Sequence, residues 1–372
     1  MMFRFIPQLF IFVITFFTLS VSCAEELIQG LSYRKIITPL WHSIHVLEVD
    51  PTYLNITAAH AKDSALGIET VQNIAKRHRA IAAINGGFFK MGEQTEGLPA
   101  GILKIKGRWY GIAYRSRGAI GWSNQTNSVF MDRIQTKTKL KIQNQKFPIY
   151  AVNQPSVPNR AILYTDTFGN YLTSNPNNLD IIIKNNQVVD ILPGGKTKIP
   201  TNGYVYSIGP RAKTSRHAIR VGDKVKIEID VIPQLKKNKK NHWQIVDNII
   251  GGTPLLIEEG RTIQTYTLEF LNSRFIKNRH ARTAVGLLNN GHWVFVVVEQ
   301  SPLTGSPGMT IAELTKFMHK LDCQYALNLD GGGSSTLYID NSVMNHPELD
   351  PEVNVSGSPF RQISDAILIL RK

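Results

Sequence analysis

The stretch Ala326-Leu327-Asn328-Leu329-Asp330-Gly331-Gly332-Gly333-Ser334-Ser335-Thr336 sets a carboxylate after an apolar run and follows it with three glycines and two serine hydroxyls. Alternation along a strand points Asn328 and Asp330 to one face, and Asp330 stands where the chain must turn. Glycines allow positive φ and let backbone N–H groups approach a ligand. With the Ser334 and Ser335 hydroxyls, Gly331 and Gly332 have the composition of a phosphate cradle. Asp330 at its rim is placed for acid–base or nucleophilic work. Glycine-rich turns also arise for steric reasons alone, so the stretch needs company.

Company is present. The apolar Ile81-Ala82-Ala83-Ile84 stops at Asn85-Gly86-Gly87-Phe88-Phe89, and Ile249-Ile250 breaks at Gly251-Gly252 before Thr253-Pro254-Leu255-Leu256. Each is a strand-end glycine pair, readable as a turn or as backbone converging on a ligand. In Arg279-His280-Ala281-Arg282-Thr283-Ala284-Val285-Gly286 a basic stretch leads into a strand. Arg282 is the first candidate for an anion clamp and Arg279 the reserve, because a guanidinium fork matches two phosphate oxygens. Glu299 ends the apolar run Trp293 to Val298 and is a candidate second carboxylate.

The elements that must carry these residues are mainly short strands between Gly, Pro and Asn clusters. They read as Ile44 to Val49, Ala80 to Ile84, Ala161 to Tyr164, Asp180 to Ile183, Tyr204 to Ile208, Val225 to Ile232, Trp293 to Val298 and Ala326 to Leu329. Two helices are expected. Thr70 can cap one whose apolar face is Val71, Ile74 and Ala75. Thr310-Ile311-Ala312-Glu313 has the form of a capping box before Ile311, Leu314, Phe317, Met318 and Leu321 at helical spacing. The expected fold is α+β, a mixed, mostly antiparallel sheet core with a few packed helices. Residues 25–78 form its opening strands or a small subdomain ahead of a domain over 79–372.

The chain of 372 residues has 42 % hydrophobic and 19 % charged residues, ordinary for a folded protein. Residues 1–24 read as a secretory signal peptide: Arg4 is followed by the apolar run Leu9 to Val21, too short to span a bilayer comfortably. Cleavage after Ala24 leaves no transmembrane segment, only Cys323, and hence no internal disulfide. In the competing lipoprotein reading Cys23 carries a lipid anchor. Cys323, between a helical pattern and a strand, reads as a small buried hydrophobe.

Net charge is +14, and removal of Arg4 with the leader leaves 41 basic against 28 acidic side chains, or +13. Anionic partners follow, phosphorylated glycans among them. Nucleic acid is not expected, since there is no helix-turn-helix or basic aromatic sheet and the leader directs the chain outward. Lys236 to Lys240, between Val225 to Ile232 and the strand-like Trp243 to Ile250, reads as a solvated hairpin tip.

Asn85-Gly86-Gly87-Phe88-Phe89, Gly251-Gly252-Thr253-Pro254, Arg282-Thr283-Ala284-Val285-Gly286 and Leu327 to Thr336 occur in an order that resembles the phosphodiester glycosidase family. The likeness spans about residues 80 to 370 and includes Arg361 and Ser364-Asp365-Ala366, which resemble the family's closing strand. Two departures stand out: Glu299-Gln300-Ser301 replaces an Asp-Gly-Arg-like stretch, and Ala281 replaces a proline. The resemblance implies an exported, periplasmic or extracellular hydrolase of a sugar-1-phosphodiester in envelope glycans or exopolysaccharide. Asp330 would be its principal carboxylate and Glu299 or Asp365 the second. Asn85, Gly86, Arg279, Arg282, Thr283, Asn328, Gly331, Gly332, Ser334, Ser335 and Arg361 would hold substrate. No cofactor is called for, and a single structural Ca²⁺ or Mg²⁺ ion is compatible with the reading. The rival chemistry, a phosphodiesterase with a single Ca²⁺ or Mg²⁺ on Asn328 and Asp330, finds little support in ten scattered histidines, and His42 and His45 fall on opposite strand faces. A non-catalytic protein that binds anionic glycan is the third alternative.

Overall fold

A computed structural model describes residues 24–92, 95–143, 145–214, 218–235, 237–264, 266–269, 271–346 and 360–372. Residues 1–23 of the expected leader, Cys23 among them, and Lys236 lie outside the described residues. The described residues are built mostly of antiparallel sheets, with three short α-helices among them: α1 (Val71–Arg77), α2 (Ser273–Lys277) and α3 (Ile311–Lys320).

Two sheets carry the candidate residues. In the eight-stranded sheet, Arg282–Leu288 lies between Trp293–Val298 and Cys323–Asn328, and Leu255–Glu258 follows on the far side. The other has five strands, with Ala82–Asn85 between Leu337–Ile339 and Asp365–Arg371. Residues 25–78 are woven into both: Ser43–Val49 pairs with Trp293–Val298, and Leu54–His60 with Asp365–Arg371. A seven-stranded sheet contains Arg117–Ser123 and the long strand Ser128–Ile142, and a further five-stranded sheet contains Ala161–Thr165. The pair Ala151–Val152 with Ala161–Thr165 is parallel.

Strand alternation explains why Trp293–Val298 is apolar throughout. Trp293, Phe295 and Val297 enter one core with Trp122, Leu255, Leu327 and Ile367. Val294, Val296 and Val298 enter another, beneath Ile311, Leu314 and Met318 of α3. With both faces covered, no polar position is required. The α3 capping box is present, Thr310 Oγ1 accepting from Glu313 N (3.2 Å) and Glu313 Oε2 from Thr310 N (2.9 Å). Thr70 Oγ1 caps α1 by accepting from Asn73 N. Cys323 is buried, which pushes its thiol up to about 12.

Two expectations are corrected. The segment after Val225–Pro233 is not a hairpin tip: that strand pairs with Ser128–Ile142, residues 237–244 form a 3-10 turn, and the following strand starts only at Asn248 and pairs elsewhere. Trp243 and Val246 are apolar because they fill a core with Ile249, without belonging to a strand. Helix α2 has too little apolar periodicity to show in the sequence and buries no residue completely.

Candidate active site

The three glycine clusters meet. Asp330 lies just past the end of Cys323–Asn328, and its N–H donates to the Gly86 carbonyl (3.1 Å). Gly86 in turn donates its N–H to the carbonyl of Asp365, the first residue of its strand (2.8 Å). One residue therefore joins the two sheets between two carboxylates. A Cβ on Gly86 would collide with Asp365 Oδ1, so only glycine allows this approach. Next to it, Gly87 packs so closely that a Cβ there would stand 2.7 Å from the Gly251 carbonyl.

Asp365 is buried and Asp330 half-buried. Desolvation raises Asp330 from 3.8 to about 6, against the Ser334 hydroxyl, the Gly331 N–H and the Arg361 charge. Desolvation also raises Asp365 to about 6; Ser364 and the Gly87 N–H (2.9 Å) oppose this, and the negative charge of Asp330 adds to it. Each carboxyl therefore holds its proton to about 6, chiefly through burial, and the charge of Asp330 bears on Asp365 as well. Burial and a neighbouring like charge are the arrangement used to set a general acid beside a base.

Beneath the pair lies a buried polar network. Asn85 Nδ2 donates to the Asp330 carbonyl (2.8 Å), while Asn85 Oδ1 accepts from Thr283 Oγ1 (2.8 Å) and Thr336 N (3.1 Å). Thr283 Oγ1 also shares a hydrogen bond with Ser335 Oγ (3.1 Å). Asn328 Nδ2 donates to the Thr253 and Leu329 carbonyls. These side chains hold the Asp330 turn in place.

Asp365 opens into a cleft of about 360 Å³. Phe88, Phe89, Leu271 and Phe275 make its apolar wall, with the Phe88 and Phe275 rings edge to face at 6.0 Å. Arg117, at the start of Arg117–Ser123, is half-buried in the same cleft, and its guanidinium makes no hydrogen bond or ion pair among the described residues. Glu269 acts on it only through space, against the desolvation that weakens its charged form. That carboxylate is itself saturated, accepting from Gly118 N, Thr253 Oγ1, Leu255 N and Arg133 Nε. The sequence reading missed both residues: a charge at a strand start carries no sign of its direction, and Glu269 belongs to no recognisable pattern.

Other expected residues have different neighbours. Arg282 is buried, its Nε donating to the Met309 carbonyl (2.8 Å) and its Nη2 to the Phe275 and Asn278 carbonyls (both 2.9 Å). Through these carbonyls it anchors α2, and it is not among the residues that line the cleft. Arg279 pairs with Glu313 and reaches His42 Nε2 (2.9 Å). In the glycine cradle, Gly331 N–H goes to Asp330 Oδ1 and Gly332 N–H to the Ala281 carbonyl, so these two amides are already occupied. The Arg361 guanidinium packs on Gly333, where a Cβ would approach its Nε to 2.9 Å, and it bears on Asp330.

Glu299 belongs to another cluster. Its Oε1 accepts from His45 Nε2 (2.8 Å) and His346 N (2.9 Å). Burial raises its pKa, but these hydrogen bonds outweigh it and hold the carboxyl down at about 2. Desolvation lowers His45, and the neutral ring suits both neighbours: Tyr33 OH donates to Nδ1 (2.8 Å) and Nε2–H donates to Glu299. Among the described residues no group of three or more His, Cys, Asp or Glu side chains could hold a metal ion, and no helix is long and apolar enough to cross a membrane.

Residues 177–370, just over half of the chain, match the family model for phosphodiester glycosidases. An uncharacterised protein of Rickettsia conorii is 26 % identical over 230 residues, which cover 61 % of the chain and 77 % of that protein. The human N-acetylglucosamine-1-phosphodiester α-N-acetylglucosaminidase is 31 % identical over 97 residues, covering 26 % of the chain and 18 % of the enzyme. The chain thus aligns with less than a fifth of that enzyme's length. Among solved structures, a protein from Synechocystis superposes with a TM-score of 0.79 at 22 % identity, covering 95 % of the chain and 64 % of its own. One from Burkholderia pseudomallei gives 0.73 at 19 %, covering 92 % and 76 %.

Proposed function

The chain belongs to the phosphodiester glycosidase family, and from that premise we propose that it hydrolyses a sugar-1-phosphodiester at the bond between the anomeric carbon and the phosphate oxygen. The observation that carries this reading is the pair Asp330 and Asp365, both raised to about 6 and held on either side of Gly86.

Departure of the phosphate leaves an oxocarbenium-like sugar, which two carboxyl groups can serve, one as acid and one as base or nucleophile. A phosphomonoester is a good leaving group, so a positive charge on its oxygens substitutes for part of the protonation. Arg117, half-buried and without a partner among the described residues, is the group for that task, and Arg361 balances Asp330. The C1–O bond breaks with its electron pair on the phosphate oxygen. Water supplies hydroxide to C1; one carboxylate takes its proton while the other carboxyl gives its own to the departing phosphate oxygen. The aromatic wall of Phe88, Phe89 and Phe275 suits the sugar or an apolar aglycone.

Export completes the proposal, supported by the leader-like sequence of residues 1–24, with an envelope or extracellular phosphorylated glycan as substrate and no resident metal. The test uses a panel of sugar-1-phosphodiesters, beginning with an N-acetylglucosamine α-1-phosphodiester, in isotopically labelled water with and without chelator. Free sugar carrying the label, plus an unlabelled phosphomonoester, is expected in both conditions. Labelled sugar-1-phosphate would mean attack at phosphorus and overturn the reading.

A further inference from the structure

A second cleft, of about 560 Å³, lies where Ser128–Ile142 meets the segment leading into Ala161–Thr165, and it shares no lining residue with the Asp365 cleft. Its volume falls within the roughly 300–1,000 Å³ usual for ligand sites. Two tyrosines stand at its mouth, Tyr114 at 42 % and Tyr150 at 44 % exposure, with ring centroids 5.3 Å apart. The guanidinium of Arg160 lies 4.6 Å from the Tyr150 ring centroid, and Arg211 and Lys213 extend the rim.

No aspartate or glutamate lines this cleft, and none of the three cations forms an ion pair among the described residues. Walls of the cleft are fixed from behind: Thr136 Oγ1 donates to the Ala113 carbonyl (2.7 Å) and Thr138 Oγ1 to the Ile149 carbonyl. Paired aromatic rings left open to water suit the C–H face of a sugar, while their hydroxyls remain available to its oxygens. Three unbalanced cations on a chain of net charge +14 select for negative charge on that sugar.

We infer that this cleft is a second binding site, for an anionic oligosaccharide whose residues carry phosphate or carboxylate groups. The sugar ring stacks on Tyr114 and Tyr150, and its anionic substituents meet Arg160, Arg211 and Lys213. Chemistry at Asp330 and Asp365 is not required for this. On a polymeric substrate such a site would hold the chain at a distance from the bond that is cut.

Calorimetric titration of the mature protein tests it, with two anionic probes, an oligogalacturonate hexamer and a phosphorylated maltohexaose, against plain maltohexaose and a sugar-free polyphosphate. At least one anionic sugar should bind about tenfold tighter than both controls, and Tyr150→Ala or Arg160→Ala should each weaken it by about fivefold. Both side chains are exposed, so the melting temperature should hold. Turnover of a small sugar-1-phosphodiester should stay within twofold of wild type, which keeps this site separate from the hydrolytic reading. Binding of neither anionic sugar below millimolar concentration, equal affinity for polyphosphate, or undiminished affinity in the Tyr150→Ala/Arg160→Ala double variant would each overturn the inference.

Discussion

Asp365 lies in the electrostatic field of Asp330, and that negative charge adds to the desolvation which lifts the Asp365 carboxyl to about 6. If the two act as one acid–base unit, Asp330→Asn or Asp365→Asn alone should lower kcat by about 10²–10⁴-fold, and the double variant should lose little more. Multiplicative losses in steady-state kinetics would show that they work separately.

The same shift has a signature in stability. Below 3.8, the ordinary value for aspartate, both folded and unfolded chains carry the Asp365 proton and the group contributes nothing. Between 3.8 and about 6 the unfolded chain releases the proton first, so stability falls as pH rises, and the loss is complete above 6. Asp365→Asn should therefore match wild type at pH ~4 and exceed it at pH ~8, by at most roughly 3 kcal/mol for a shift of about two units. Urea titrations at the two pH values check the sign.

Two arginines should respond in opposite ways. Arg117→Met removes a charge that no described residue satisfies, so stability should be unchanged or slightly higher, while kcat/KM on a phosphodiester falls by about 10–100-fold, the worth of a charge-assisted hydrogen bond. Arg282→Met strands three backbone carbonyls and should cost about 3 kcal/mol of folding free energy. A stable Arg282→Met enzyme with a raised KM would put Arg282 at the substrate after all.

Glu299 predicts a pH dependence of the opposite sign to Asp365. Held at about 2 by His45 and the His346 N–H, it adds stability above the ordinary 4.5 that is lost as pH falls through 4.5 toward 2. His45→Ala should destabilise by about 1.5–3 kcal/mol at neutral pH by removing one donor from a buried carboxylate that keeps the His346 N–H. Thermal melts of His45→Ala, and of wild type between pH ~2 and ~5, provide the measurement.

Much of the site was legible because strand ends are written locally. Asn85-Gly86-Gly87, Gly251-Gly252 and Asp330-Gly331 each announce a break in an apolar run, and the structure brings all three together through Gly86, Gly87 and Gly251. The α3 capping box, also local, was legible too. Direction was not legible: Arg282 and Arg117 both begin strands, yet one guanidinium turns into the protein and the other into the cleft. Nor could spacing reveal that Glu299 would find His45 on a partner strand. Trp243 to Ile250 misled because a core residue and a strand residue have the same apolar character.

The strand that begins with Asp365 is zipped to Leu54–His60 on one side and Ala82–Asn85 on the other. Pairings between such distant stretches of sequence form late in folding, since the intervening chain must first be gathered in. A chain arrested before this zipper closes would hold Asp330 without its counterpart, and the cleft would lack the carboxyl that opens into it.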